Sequence, residues 1–313
     1  MSKQKLKLWF SDFWPGFIPN DNLFVHLLSD HFDIELSKDP DLLIYSVYDF
    51  NHIKFKCAKI FYTAENVRPN YNECDFSLSF DYNSYGGKNL RLPLYRWRGD
   101  LEQLCVPKVA QQVIKDKKKF ACMVVSNNSC KERNRFFHLL NEYKKVDSGG
   151  RFMNNVGGPV HDKMDFIKDY KFVLSFENSS YPGYTTEKIV EPMLVHSLPV
   201  YWGNPCIKQD FNPSSFINVH DYKSFNKAVE AIVRIDQDDD LFMRYLQDPY
   251  FHHNKVPDDI QYYYFEERLT AIVGKILKRK PVSTRFYFIP IATANKFKKK
   301  ILSRVHRRPH FYY

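Results

Sequence analysis

The sequence predicts an α/β chain built from two parallel, doubly wound, Rossmann-like domains. Three observations carry this. Short runs of strand length and strand composition alternate with helical segments, the alternation stops at a basic polar stretch, and it restarts immediately afterwards. In the first half the strands are Leu6 to Phe10, Leu42 to Val47, Lys59 to Tyr62 and Phe76 to Phe80, with a short helix over Asn22 to Asp30 between the first two. Lys115-Asp116-Lys117-Lys118-Lys119 reads as a linker. Beyond it come a strand over Phe120 to Ser126, a helix over Arg133 to Tyr143 with Phe136, Phe137, Leu139 and Leu140 on one side, and a helix over Lys163 to Tyr170. A strand over Lys171 to Phe176, a helix from about Glu187 and a strand over Leu198 to Trp202 follow, then helices over Asp221 to Ile235 and Asp258 to Lys280. The acidic run Asp236 to Asp240 lacks a preceding apolar strand, so it reads as a solvated loop or helix start rather than a metal-binding Asp-x-Asp.

With 313 residues, 44% of them hydrophobic, the chain has material for two ordinary cores. Its formal charge of +10 suggests a nucleic-acid partner until the charge is located. Twelve of the 46 Lys and Arg residues, and no acid, fall between Lys275 and Tyr313. The remainder has 34 basic against 36 acidic residues, a net of −2, which argues against a nucleic-acid surface on the body. No signal-peptide pattern or spanning apolar run is apparent, and the six cysteines lack metal or redox spacing, so the expectation is a cytoplasmic protein with reduced thiols.

The segment Phe172 to Val190 carries the chemistry. It reads as strand, loop, helix: Pro182-Gly183 bends the loop and Thr185-Thr186 caps the helix, leaving free N–H groups at the C-terminal edge of a parallel sheet. Such an arrangement binds anions. Lys188 lies in the first turn, where the helix dipole disfavours a cation unless an anion compensates. A diphosphate would do so; spacing alone equally allows a surface lysine paired with Glu187 or Glu191. Pro192 must kink this helix or lie near its true start.

Phe176-Glu177-Asn178-Ser179, Tyr184-x-Thr186-Glu187-Lys188 and Leu198-Pro199-Val200-Tyr201-Trp202-Gly203 form a composite signature that resembles the α-1,3/4-fucosyltransferases, glycosyltransferase family ten, especially bacterial members. The resemblance extends to Phe61 to Asn66, Pro69 to Asn72, Cys74-Asp75, Arg91 to Tyr95, Ser126-Asn127-Asn128 and Arg133-Asn134, and so covers most of residues 5 to 280. It implies a GT-B type fold, two Rossmann-like domains facing each other across a cleft. Residues 1–118 would bind acceptor and residues 119–280 would bind GDP-fucose. By motif position Arg133 and Lys188 would hold the pyrophosphate, Asn178, Tyr184 and Glu187 would contact nucleotide and ribose, and Ser126 would join the donor site. Glu65 matches the proposed general base of an inverting transfer. No metal or other cofactor is required, although a divalent cation would have room to stimulate GDP release.

The implied reaction moves L-fucose to the 3-hydroxyl of N-acetylglucosamine in a Galβ1-4GlcNAc-type glycan, a Lewis-x-like product of the kind found on lipopolysaccharide. The resemblance leaves acceptor contacts near Asp12-Phe13-Trp14 and the 1,3 or 1,4 linkage open. The rival class is a non-catalytic binder of glycan or nucleic acid. Residues 281–313 form a basic aromatic tail in which Ala294, Phe297, Ile301, Leu302 and Val305 share one helical side. That pattern suits peripheral attachment to the anionic inner face of the cytoplasmic membrane; a solubilising tail is the plainer alternative.

Overall fold

The computed structural model describes residues 3–98 and 101–305 and divides into two compact units. The first comprises residues 1–92 and 258–313, the second residues 93–257.

The first unit is built on a six-stranded sheet: β1 (Gln4–Ser11), β2 (Phe32–Leu36), β3 (Leu42–Tyr45), β4 (Ala58–Tyr62), β5 (Phe76–Ser79) and β6 (Asn89–Arg91). Their spatial order is β2-β1-β3-β4-β5-β6, and every pairing is parallel. Parallel strands covered on both faces carry continuous apolar runs, and β3, β4 and β5 are buried at every position. Helix α1 (Leu23–Ser29) starts where the Asn22 side chain accepts hydrogen bonds from the N–H groups of Phe24 and Val25.

The second unit holds α2 (Ala110–Asp116), β7 (Lys119–Met123), α3 (Lys131–Tyr143), β8 (Val146–Ser148), α4 (Lys163–Ile167), β9 (Tyr170–Phe176), α5 (Glu187–Leu194), β10 (Leu198–Trp202), β11 (Ile217–Asn218), α6 (Phe225–Gln237) and α7 (Asp239–Gln247). Its strands run β11-β10-β9-β7-β8, again all parallel. In each unit the chain passes from its first strand to one neighbour and then crosses to the other side. The β1/β3 and β7/β9 junctions are therefore topological switch points, where the loops leaving adjacent strands diverge.

The α/β class and the two parallel units match the sequence reading, but the expected boundaries at 118 and 280 do not. Tyr95 N–H donates to the Thr185 carbonyl (3.2 Å) and α2 packs on α7, so residues 93–118 belong with the second unit. Helix α8 (Tyr262–Ile276) packs on α1, and His31 Nε2 lies 2.9 Å from Glu266, which returns residues 258–280 to the first unit. The expected linker is not one: Lys117 is buried and its ammonium donates to the carbonyls of Lys168 and Val195 and to Ser197 Oγ. Burial pulls its pKa down to about 8.

Nor is the tail a separate piece as far as it is described. Ser283 Oγ donates to the Cys57 carbonyl (2.7 Å), Val282 N–H to Asp75 (2.8 Å), and α9 (Phe288–Val305) buries Phe288 and Ala292. The packed stripe of α9 runs through Phe288, Ala292 and Asn295, with the ammonium of the exposed Lys299 reaching the Val47 carbonyl, whereas Ala294 and Phe297, on the expected apolar side, are exposed. The side chains of Ile301, Leu302 and Val305, and residues 306–313 with the rest of the Arg304 to Arg308 run and the terminal aromatics, lie outside the described residues.

Strands β2, β6, β8 and β11 have no counterpart in the sequence reading. They are two to five residues long and all four stand at sheet edges, where the apolar pattern fades; β2, for example, buries only Phe32. The predicted helix over Lys163 to Tyr170 is shorter because β9 already starts at Tyr170, and the helix placed at Asp221 starts at Phe225, capped by Ser224. The acidic run starts a helix: the Asp238 side chain accepts from Leu241 N–H, with Asp239 and Asp240 in the first turn. All six cysteines are unpaired, and burial raises the thiols of Cys57, Cys74 and Cys122, Cys57 to about 11.

Candidate active site

The β7/β9 switch point of the second unit assembles most of the expected donor residues. The β7–α3 loop carries Ser126, exposed, and leads to Arg133 in the first turn of α3. Arg133 has no solvent-accessible surface. Its Nη1 donates to Asn178 Oδ1 (3.2 Å) and its Nη2 to the Asn127 carbonyl, while its buried Nε has no hydrogen-bond partner among the described residues. Burial pulls the guanidinium below its ordinary pKa, opposed by the fields of Cys130 and Glu177. The guanidinium is thus a fixed positive charge behind the end of β9.

From the neighbouring strand, β9 delivers Glu177 and Asn178 at its end. Glu177 is fully buried and accepts from Thr186 N–H (2.7 Å), from Thr186 Oγ1 (2.8 Å) and from Lys188 Nζ (3.3 Å). Burial raises its pKa, partly offset by Lys188. Lys188 also donates to Thr186 Oγ1 (3.0 Å) and lies 3.5 Å from Glu187, with 18% of its side chain exposed. Glu187 opens α5; burial works to raise its pKa, but Lys188 and Lys163 more than offset this and hold it below the usual carboxylate range.

The loop between β9 and α5 owes its shape to distant residues. Gly183 sits at φ +86° and gives its N–H to Asn204 Oδ1 (2.8 Å), and Asn204 Nδ2 donates to Thr185 Oγ1 (3.1 Å). Thr186 alone caps α5, accepting from Lys188 N–H; Thr185 is interior. Tyr184 is only 2% exposed, so its ring is core and its carbonyl accepts from Tyr201 Oη (3.4 Å). Pro192 lies in the last turn of α5, after which His196 adopts φ +57° and ends the run. A Cβ at Gly203 would stand 2.7 Å from Glu177 Cβ, so only glycine lets β10 pass this close to the buried acid.

Arg133, Asn178, Glu187 and Lys188 are thus brought to one sheet edge, with Ser126 on the same loop set and Tyr184 behind it. Glu65 belongs to the first unit, on the loop after β4, half-buried, in a turn where its carbonyl accepts from Thr63 Oγ1 (2.8 Å) and Val67 N–H (2.6 Å). Sequence reasoning assigned Glu177 no role, although an acid directly after the apolar run Phe172 to Phe176 was a legible signal. Asn204 offered none, because its partners lie about twenty residues away. Among the described residues no group of three His, Cys, Asp or Glu could hold a metal.

Two all-parallel units, one with a cationic cradle at its switch point, define a glycosyltransferase of the GT-B class. Residues 8–97 match the Alpha-(1,3)-fucosyltransferase FucT N-terminal domain and residues 114–267 match the C-terminal part of glycosyltransferase family 10 (fucosyltransferase). The chain belongs to glycosyltransferase family 10, the fucosyltransferases. It is 33% identical over 251 residues to the α-(1,3)-fucosyltransferase FucT of Helicobacter pylori, covering 68% of this chain and 52% of that protein. To human GDP-fucose protein O-fucosyltransferase 3 it is 31% identical over 189 residues, covering 54% of this chain and 39% of the relative. The match with these curated relatives spans about half of their length or less. An α1,3-fucosyltransferase crystallised with GDP-fucose superposes with a TM-score of 0.72 at 28% identity over 89% of this chain and 92% of its own. A further α1,3-fucosyltransferase crystal structure gives 0.77 at 27% identity over 91% and 93%.

Proposed function

We propose that the chain is an inverting α-1,3-fucosyltransferase that moves L-fucose from GDP-fucose to the 3-hydroxyl of N-acetylglucosamine in a Galβ1-4GlcNAc-type glycan. The observation that carries this reading is the pairing of buried Arg133, with an unused donor, and Lys188 at the start of α5, at one switch point. Two fixed cations and a helix N-terminus suit the diphosphate of a leaving GDP, whose charge grows in the transition state. Asn178 and Glu187 flank the cradle and would meet the nucleotide and its ribose. Tyr184, with its ring buried, would serve by shaping the loop and through its backbone. In the step itself the acceptor oxygen bonds to the anomeric carbon, the Glu65 carboxylate takes the hydroxyl proton, and the bond to the diphosphate breaks from the opposite face.

The test is to incubate the protein separately with GDP-fucose, GDP-mannose and UDP-galactose over a panel of galactose- and N-acetylglucosamine-containing acceptors, with NMR of the products. An α-1,3-linked fucoside formed only from GDP-fucose supports the reading; transfer to O4, or from another donor, replaces it with another member of the family's chemistry.

We also propose that α9 attaches the protein peripherally to the anionic inner face of the cytoplasmic membrane. Phe286, Ile289 and Phe297 are exposed beside Lys296 and Lys298, a pairing of apolar and cationic groups that suits an anionic bilayer. Because residues 282–299 also pack on the first unit, substitution tests this better than truncation. Phe297→Asp with Ile289→Ser abolishes sedimentation with phosphatidylglycerol vesicles on this reading, and unchanged sedimentation overturns it.

A further inference from the structure

The loops at the C-terminal edge of the first sheet meet at a buried imidazole. Asp12, at the end of β1, adopts φ +61°, and its carboxylate accepts from the N–H groups of Asn51 and His52 (2.9 Å each) and faces His52 Nδ1 at 2.7 Å. On the other side of the ring, Nε2 stands 3.0 Å from Glu73 Oε2. Glu73 closes the loop that leaves β4 and contains Glu65; its Oε1 accepts from Asn70 Nδ2 (2.8 Å) and from Asn295 Nδ2 of α9 (2.6 Å). The His52 ring stacks on Tyr45 at 4.0 Å, and Asp12, His52 and Glu73 are all buried. A neutral imidazole can donate to only one of the two carboxylates; the imidazolium donates to both.

We propose that His52 is a positioning residue for the acceptor half of the reaction: as an imidazolium it ties the loops after β1, β3 and β4 together and so fixes the turn that presents Glu65. The proposal rests on the reading of Glu65 as the general base. Burial on its own would pull His52 down, but the hydrogen bonds it donates to Asp12 and Glu73 outweigh it and the imidazole is raised above its ordinary 6.5. Burial likewise opposes ionisation of Asp12 and Glu73, yet their bonds to His52 leave both below their ordinary values. A raised histidine stabilises the fold below its unfolded pKa and loses that contribution as pH rises through the folded one; the lowered acids contribute at higher pH and lose it as pH falls. The staple is intact in the window between them. Among the described residues the other charged or titratable groups facing it are Tyr45, Cys74 and, from α9, Lys299, whose ammonium donates to the Val47 carbonyl (2.6 Å) and whose pKa is pulled down by desolvation against the fields of Asp12, Asp49 and Glu73.

Glu73→Gln separates His52 from Lys299 and from general loss of packing. Its amide oxygen keeps the bonds from Asn70 and Asn295, and its N–H donates to a neutral imidazole, so the staple no longer needs the proton. In the wild-type full chain, acceptor KM rises about fivefold or more as pH passes the His52 value while the GDP-fucose KM stays level. Amide exchange in residues 63–73 quickens over the same range. Glu73→Gln flattens both changes. His52→Phe, which keeps the stacking on Tyr45, raises acceptor KM at every pH and leaves GDP affinity within about twofold. An unaltered alkaline limb in Glu73→Gln, or wild-type acceptor KM and exchange in His52→Phe, overturns the proposal. Should the wild-type chain transfer nothing to any acceptor, it is the Glu65 reading that fails, and exchange of residues 63–73 against pH still decides the role of His52.

Discussion

The two switch points share one topology and have opposite finish. At β1/β3 the side chains satisfy one another: Asp12, His52, Glu73 and Asn295 form a closed set of hydrogen bonds. At β7/β9 two cations stand side by side at the sheet edge: Arg133 keeps a buried Nε with no partner among the described residues, and Lys188, held by Glu177 and Thr186, stands in the first turn of α5. A closed network fixes loops; an open one waits for a ligand. On the proposed reading the same doubly wound scaffold supplies a rigid platform in one unit and an anion cradle in the other.

This contrast can be broken at several points. The largest effect belongs to Glu65→Gln, which on the proposed mechanism removes the base without touching the cradle: kcat falls by about 10²–10⁴ while GDP affinity is unchanged, as read by steady-state kinetics and calorimetry. Next is Gly203→Ala, whose Cβ would press into Glu177; overpacking of this kind costs about 1–3 kcal/mol, visible as a lower Tm together with weaker GDP binding.

Glu177→Gln separates stability from function. The raised pKa of Glu177 means that its ionised form works against folding, a penalty relieved as pH falls through the folded value. Replacing it with a neutral isostere removes that penalty while loosening Lys188. The expected result is an equal or higher Tm at neutral pH and GDP binding weakened by about tenfold. A lower Tm with full affinity would show that Glu177 is structural and that Lys188 does not depend on it.

Much of the cradle was legible because its parts lie on one continuous segment. The strand, the Pro182-Gly183 bend, the Thr186 cap and Lys188 follow one another, and each has a local physical signature. Arg133 was reached through its motif and not its surroundings, since nothing local says that a helix arginine will be wholly buried. What sequence could not show is long-range: Asn204 bracing Gly183, Asp12 reaching His52 and Glu73 behind it, and residues 258–299 returning to the first unit. Edge strands such as β2 and β11 were missed because a strand covered on one side or ending after two residues shows too little apolar pattern. The docking of the basic tail is not legible in the sequence because its packed stripe joins Phe288 and Ala292 to the polar Asn295, a face that hydrophobic periodicity does not mark.

The central claim is that the β7/β9 edge is a diphosphate site, and titration calorimetry of GDP against wild-type and Lys188→Met protein tests it most directly. The variant leaves Glu177 its bonds from Thr186 and its fold is checked by a thermal melt; loss of one charge-assisted contact weakens GDP binding by about 10- to 100-fold while leaving guanosine affinity unchanged. Equal GDP affinity in the two proteins would contradict the account.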